Sequence, residues 1–189
     1  TTSFKADFTS QIDFNNLLKT RAEFVYNDLD FDYGTIGEAT NDQVYATRVQ
    51  KRVFPLRGAV YVQDKLELSE FTVNAGLRLE YTNSNVDWYA VSQYDQSFFS
   101  TKYNAAAVFP EEASKPQWTL SPRLGVSHPI TENSKLFFNY GHFKQLPQYE
   151  SLFRIQRTST NAMSSYGNPN LTLAKTISYE LGFDYLVLD

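Results

Sequence analysis

Asp28, Asp30 and Asp32 stand at alternate positions in Asp28-Leu29-Asp30-Phe31-Asp32-Tyr33-Gly34, the spacing of oxygen ligands that opens a calcium loop. An EF-hand loop starting at Asp28 needs glycine at position 33 and glutamate at position 39. The chain has Tyr33 and Ala39 there. What is left is a looser calcium site on Asp28, Asp30 and Asp32 or, more simply, a solvated acidic loop, and no metal is assigned. His128 and His142 are the only histidines, too few for a His-rich metal centre. His128 falls on the apolar side of a strand beside a turn and reads as an interfacial polar-aromatic residue, while His142 ends a strand at the opposite rim. Gly-x-Ser-x-Gly, His-Glu-x-x-His, a phosphate loop and a cysteine nucleophile are all missing, so neither an enzyme nor a cofactor is expected. Trp88, Tyr89, Tyr94, Phe98, Phe99 and Tyr103 crowd one long connection. Their rings suit stacking on a sugar or aromatic ligand, or packing of the loop against its neighbours.

Composition narrows the setting. Of 189 residues, 15 are Phe and 13 Tyr, with one Met and no Cys. Such aromatics favour strands and water–hydrocarbon interfaces. The mean hydropathy of -0.42 is polar, and no apolar run approaches the roughly 18–20 residues of a transmembrane helix. Barrel strands alternate and average out as hydrophilic, so a barrel stays open. A net charge of -4 argues against nucleic acid as a partner. The lack of cysteine rules out disulfides and is compatible with an oxidising periplasm or cell surface. Residues 1–11 read as a strand, not a signal peptide, which favours an internal piece of a longer protein.

The elements that must position these residues repeat with period two. Residues 71–81 are the cleanest: Val73, Ala75, Leu77 and Leu79 alternate with Asn74, Gly76, Arg78 and Glu80. A slip of one residue would put Arg78 and Glu80 on the apolar face, so the register is strongly specified. Similar strands are expected at 4–12, 18–26, 57–66, 120–129, 135–142 and 176–185, about seven in all. Short connections at 13–16, 67–70 and 131–134 alternate with long ones near 27–55, 82–118 and 143–171. Compact domains prefer connections of about 4–6 residues. Short turns on one rim and long loops on the other match outer-membrane barrels. A soluble β-sandwich also alternates, but its strands average nearer 5–6 residues than the roughly ten here. Strand length, loop asymmetry and aromatics at strand ends favour the barrel.

The stretches Ser121-Pro122-Arg123-Leu124-Gly125, Leu136-Phe137-Phe138-Asn139-Tyr140-Gly141, Leu146-Pro147-Gln148-Tyr149, Gly167-Asn168-Pro169-Asn170-Leu171 and Ser178-Tyr179-Glu180-Leu181-Gly182 come in a familiar order. Together they resemble the barrel of TonB-dependent receptors, in the branch often carrying a carboxypeptidase-regulatory-like domain. Tyr61-Val62-Gln63-Asp64 and residues 73–81 fit the preceding hairpin, so the likeness spans most of the chain. Ala174-Lys175 departs from the family's common Pro-Glu, which puts any role for that carboxylate in doubt.

The resemblance implies an all-β fold: a partial, antiparallel up-and-down transmembrane β-barrel with long extracellular loops and short periplasmic turns. Residues 1–189 would be part of one barrel domain of about 22 strands, with the plug domain and remaining strands outside this chain. It implies an integral outer-membrane receptor that imports an unknown ligand. Its partners would be membrane lipid, its own plug and the TonB motor. A passive porin or adhesin barrel is the alternative and a soluble sandwich module the third. Arg21, Glu23, Asn74, Arg78, Glu80, Arg123, Asn139 and Glu180 are expected to face the lumen, where mixed charge suits a hydrated plug.

Overall fold

The computed structural model describes residues 1–37, 45–92, 94, 110–157 and 163–187. Its frame is a sheet of β1 (Thr2–Gln11), β2 (Asn16–Tyr26), β5 (Leu56–Glu67), β6 (Thr72–Asn83), β9 (Gln117–Thr131), β10 (Ser134–Gln145) and β13 (Ala174–Tyr185), in that spatial order. Every neighbouring pair is antiparallel. This is an up-and-down meander, open at β1 and β13, each of which pairs on one side only. All seven expected strands are present, with ends shifted by a few residues at most. Because direction reverses at each strand, the three short turns share one rim and the three long connections the other.

Local chemistry accounts for the turns. Between β1 and β2, the Asp13 carboxylate accepts from the backbone N–H groups of Asn15 and Asn16, both at 2.8 Å, and from the Asn16 side chain. Asn16 therefore enters β2 already oriented, and Asn16 holds the carboxyl of Asp13 below its ordinary range. At the β5–β6 turn, the Glu70 carbonyl lies 2.6 Å from His128 Nδ1, and the His128 ring stacks on Phe71 at 4.6 Å. Thr131 Oγ1 and Ser134 Oγ, 2.6 Å apart, close the β9–β10 hairpin across a bulge.

The register sorts the sheet into two faces. One carries rows such as Ala6, Ala22, Val60, Leu79 and Leu120, and another of Val73, Val126, Phe138 and Leu181. These apolar side chains are open; Leu181 is 72% exposed and Phe4 66%. A water-soluble sheet of this size covers one face, since large exposed apolar patches are unfavourable. Here the rest of the chain leaves that face open.

The core sits away from the sheet, among the long connections, which depart from the expected loops by being built. They hold the hairpin β3 (Leu29–Gly37) with β4 (Tyr45–Val53), the pair β7 (Asp87–Tyr89) and β8 (Glu111–Ala113), the helix α1 (Tyr149–Phe153), and the pair β11 (Ile155–Arg157) and β12 (Met163–Tyr166). Val53, Trp88, Leu152, Phe153 and Ile155 are buried together, with Leu29, Phe31, Val86, Tyr149 and Tyr166 packed around them. Connections this long cost conformational entropy, which burial of that cluster offsets. At one turn, α1 is too short to leave a helical period in the sequence.

Candidate functional site

Opposite the apolar face lies the polar wall. Its rows run Lys5, Glu23, Ala59, Glu80 and Thr119, then Asp7, Arg21, Tyr61, Arg78 and Ser121, then Asn74, Gly125, Asn139 and Glu180. The register thus places Arg21, Glu23, Asn74, Arg78, Glu80, Arg123, Asn139 and Glu180 on one face. Among the described residues, every ion pair within the seven strands lies here: Lys5 with Glu23 at 3.5 Å, Arg21 with Asp7, Arg78 with Glu80 at 3.0 Å, Lys65 with Glu67, and Lys135 with Asp184 at 3.1 Å. Asn139 donates to Glu180 at 3.0 Å, and the Arg123 guanidinium lies 4.8 Å from the centre of the Phe143 ring. The paired charges cancel locally, so the wall is nearly neutral in patches. Such pairs add little stability at the surface and make a surface suited to a polar body rather than to a single ion.

Glycine keeps this wall low. A Cβ on Gly182 would stand 2.1 Å from Phe137 Cζ, so the Phe137 ring lies flat over its cross-strand partner only because no side chain is there. The periodic reading did not single out Thr119, Ser121 and Arg57, which share the wall near the long-loop rim. Each has a buried polar atom without a hydrogen-bond partner, and Ser121 is 1% exposed. Their parity with Arg123 and with Tyr61 was the available signal.

Above this wall the three connections form a cap. The Trp88 indole donates to the Gly167 carbonyl at 2.8 Å and lies edge-on to Phe153. Lys51 Nζ stands 5.0 Å from the Trp88 ring centre, and the Tyr89 carbonyl accepts from the Tyr166 hydroxyl at 2.8 Å. Burial pushes the Tyr166 phenol up from its ordinary value. At the turn into β7, Asn85 takes a positive φ of 47°, which asparagine tolerates, and donates to the Phe54 carbonyl. The Asn-Pro motif is the latch between cap and sheet. Ser84 donates to the Pro169 carbonyl at 2.7 Å, the Lys115 N–H to Asn170 Oδ1 at 2.7 Å, and Gln117 to the Asn170 and Leu171 carbonyls.

The expected ligand aromatics separate on this frame. Trp88, 5% exposed, packs the cap core; Tyr89 is half-buried beside it; Tyr94 is 84% exposed. Phe98, Phe99 and Tyr103 lie outside the described residues. The acidic triplet is also re-read. Asp30 and Asp32 alternate with Leu29 and Phe31 because this is strand β3, whose apolar side chains face the cap core. Asp28 is held by Arg52 through two bonds, at 2.7 and 2.5 Å, and that guanidinium lowers its carboxyl below the ordinary range. The described residues contain no cluster of three metal-ligating side chains. His128 and His142 both lie on the apolar face, His142 Nε2 at 2.5 Å from the Tyr140 hydroxyl.

A family model described as TonB dependent receptor-like, beta-barrel, matches residues 1–189. The chain belongs to the TonB-dependent receptor β-barrel family. This is a family of outer-membrane receptors, and the open, two-faced meander is a section of such a barrel. Among solved structures, the copper transporter OprC superposes with a TM-score of 0.59 over 97% of this chain, at 13% identity. That likeness concerns the fold. The chain spans 27% of the length of that protein. No curated protein sequence matches it.

Proposed function

We propose that this chain is part of the wall and outer cap of a receptor that imports a scarce ligand across the outer membrane with energy from the TonB system. The observation that carries the reading is the family match over the whole chain, on a sheet whose paired charges all lie on one face and whose other face is apolar. In this reading the apolar face meets lipid and the polar wall meets the receptor's own plug. The long-loop rim is extracellular and the short-turn rim periplasmic. Tyr94 and the rest of the connection 90–110 are the ligand-contacting candidates left by the burial of Trp88.

Copper is in the structural neighbour's name, and these residues do not themselves supply a soft ligand set for it. Soft copper sites draw on Cys, Met and His, and these 189 residues hold no cysteine, one methionine and two histidines, both on the apolar face.

Ligand-dependent uptake by cells producing the full receptor tests the proposal. Uptake should vanish when the proton-motive force is dissipated or TonB is deleted. Uptake that persists under both treatments would mean a passive pore.

A further inference from the structure

Among the described residues of the seven strands, Glu180 is the only acid on the polar wall outside an ion pair. Arg123, two strands away on β9, is the nearest base that also has no ion pair. What the two charges touch instead brings both over β10. Glu180 accepts from Asn139 Nδ2 at 3.0 Å, and the Arg123 guanidinium lies 4.8 Å from the centre of the Phe143 ring. That ring folds back over Gly141, the direct cross-strand partner of Arg123: a Cβ on Gly141 would stand 3.0 Å from Phe143 Cε2. The acid is thus held at Asn139 and the base at Gly141, two residues apart on one strand, roughly 7 Å.

The floor between them is low. Gly125 is the cross-strand partner of Asn139, and a Cβ there would meet Asn139 Oδ1 at 3.0 Å. The result is an open concavity of about 350 Å³, bordered by Arg123, Asn139, Phe143 and Glu180, with Tyr61 on its far side. Small-molecule pockets begin at about this volume. Phe143 is 43% exposed and stands two residues from the long-loop end of β10, so the concavity is reached from that rim.

The unpaired charges select the kind of ligand. An anion would be repelled by Glu180 and a cation by Arg123, while a neutral polyol would leave both charges unmatched. A dipolar molecule satisfies the two at once. A dipeptide spans at most about 7 Å, which matches the separation over β10, and a guanidinium takes a carboxylate through two parallel bonds. We propose that this concavity binds both termini of a short zwitterionic peptide, its carboxylate on Arg123, its ammonium group on Glu180 and an apolar side chain against Phe143. The site rests on the import reading given under the proposed function and names the class of ligand imported.

The test uses the full-length receptor in detergent, plug included, and equilibrium dialysis of phenylalanyl-alanine in free, N-acetylated and C-amidated forms. The free dipeptide should bind about tenfold more tightly than either blocked form, the size expected of one charged hydrogen bond. Glu180→Gln should erase the preference over the acetylated form and keep the preference over the amide. Arg123→Gln should do the reverse. A merely structural role would weaken all three forms together. That result, a free dipeptide that does not bind, or blocked forms that bind as well as the free one, overturns the proposal. So does a rise in ion conductance of both variants in planar bilayers with peptide selectivity unchanged, which would mean that the two charges hold the plug. Uptake separates the site from the reading beneath it. Dipeptide uptake that persists without TonB refutes the energised importer and leaves the site standing, whereas a receptor that binds a TonB fragment but no dipeptide refutes the site alone.

Discussion

The Trp88 indole N–H meets the Gly167 carbonyl at 2.8 Å, joining two connections 79 residues apart. The same ring lies 6.0 Å from Phe153 and 5.9 Å from Tyr166, so one side chain holds β7, α1 and β12 together. Trp88→Ala should cost the cap about 3–5 kcal/mol. Trp88→Phe, which keeps most of the packing and loses the donor, should cost about 1 kcal/mol. Hydrogen exchange on the inserted full-length receptor checks this: the cap amides should lose protection while the seven-stranded sheet keeps it. Unchanged cap protection with weakened ligand binding would return Trp88 to the ligand site.

Leu77 and Arg78 are adjacent and face opposite ways, Leu77 between Val62 and Pro122, Arg78 between Tyr61 and Ser121. If the first face meets lipid, Leu77→Arg should destabilise the inserted barrel by about 2–4 kcal/mol. Arg78→Leu breaks an ion pair with Glu80 on the polar wall and should cost about 0–1 kcal/mol. Denaturant unfolding from a bilayer ranks the two variants. The reverse order would exchange the faces.

Sequence pattern carried the strands further than the cap. In β6 the alternation of Leu77 and Leu79 with Arg78 and Glu80 is enforced by environments of opposite polarity, so period two is legible without any contact partner. Asp13 and Asn16 announced their turn because the bonds that build it are local. The alternation in β3 was visible too, but Asp30 and Asp32 invited a metal-loop reading. Only the packing of Leu29 and Phe31 on the cap core shows it to be a strand. Trp88 could not be placed from its own surroundings, because its burial depends on Phe153 and Gly167, far along the chain.

Asp13 predicts a pH response confined to the short-turn rim. Its folded carboxyl lies below the ordinary value of 3.8, chiefly through the Asn16 side chain and then the Asn15 N–H. A carboxyl depressed by folding adds stability that is fully present above 3.8 and is lost as pH falls through the folded value. Protection of the Asn15 and Asn16 amides should therefore be flat above that point and decline below it. In Asp13→Ala the decline should be absent and protection low throughout. An acid-dependent loss of the same size in the alanine variant would assign the effect to another group.

The 189 residues produced alone should not yield a stable, soluble monomer. Phe4, Phe8, Val60, Leu120, Leu181 and Phe183 all stand open on one face, and in water that face is a large apolar patch. The edges of β1 and β13 pair on one side only, leaving backbone donors and acceptors that template further strand addition. A bilayer covers the apolar face but not these edges, where each unsatisfied group costs several kcal/mol in hydrocarbon. The cap cannot compensate: its buried cluster centres on Val53, Trp88, Leu152, Phe153 and Ile155, a small core beside seven strands with one unprotected face. Refolding without detergent, followed by mass determination and a thermal melt, should therefore give aggregates with strand signal and no cooperative transition. A monodisperse monomer that melts cooperatively would mean the apolar face is covered in water, and the lipid-facing assignment of Leu77, Leu79 and their row would fall with it.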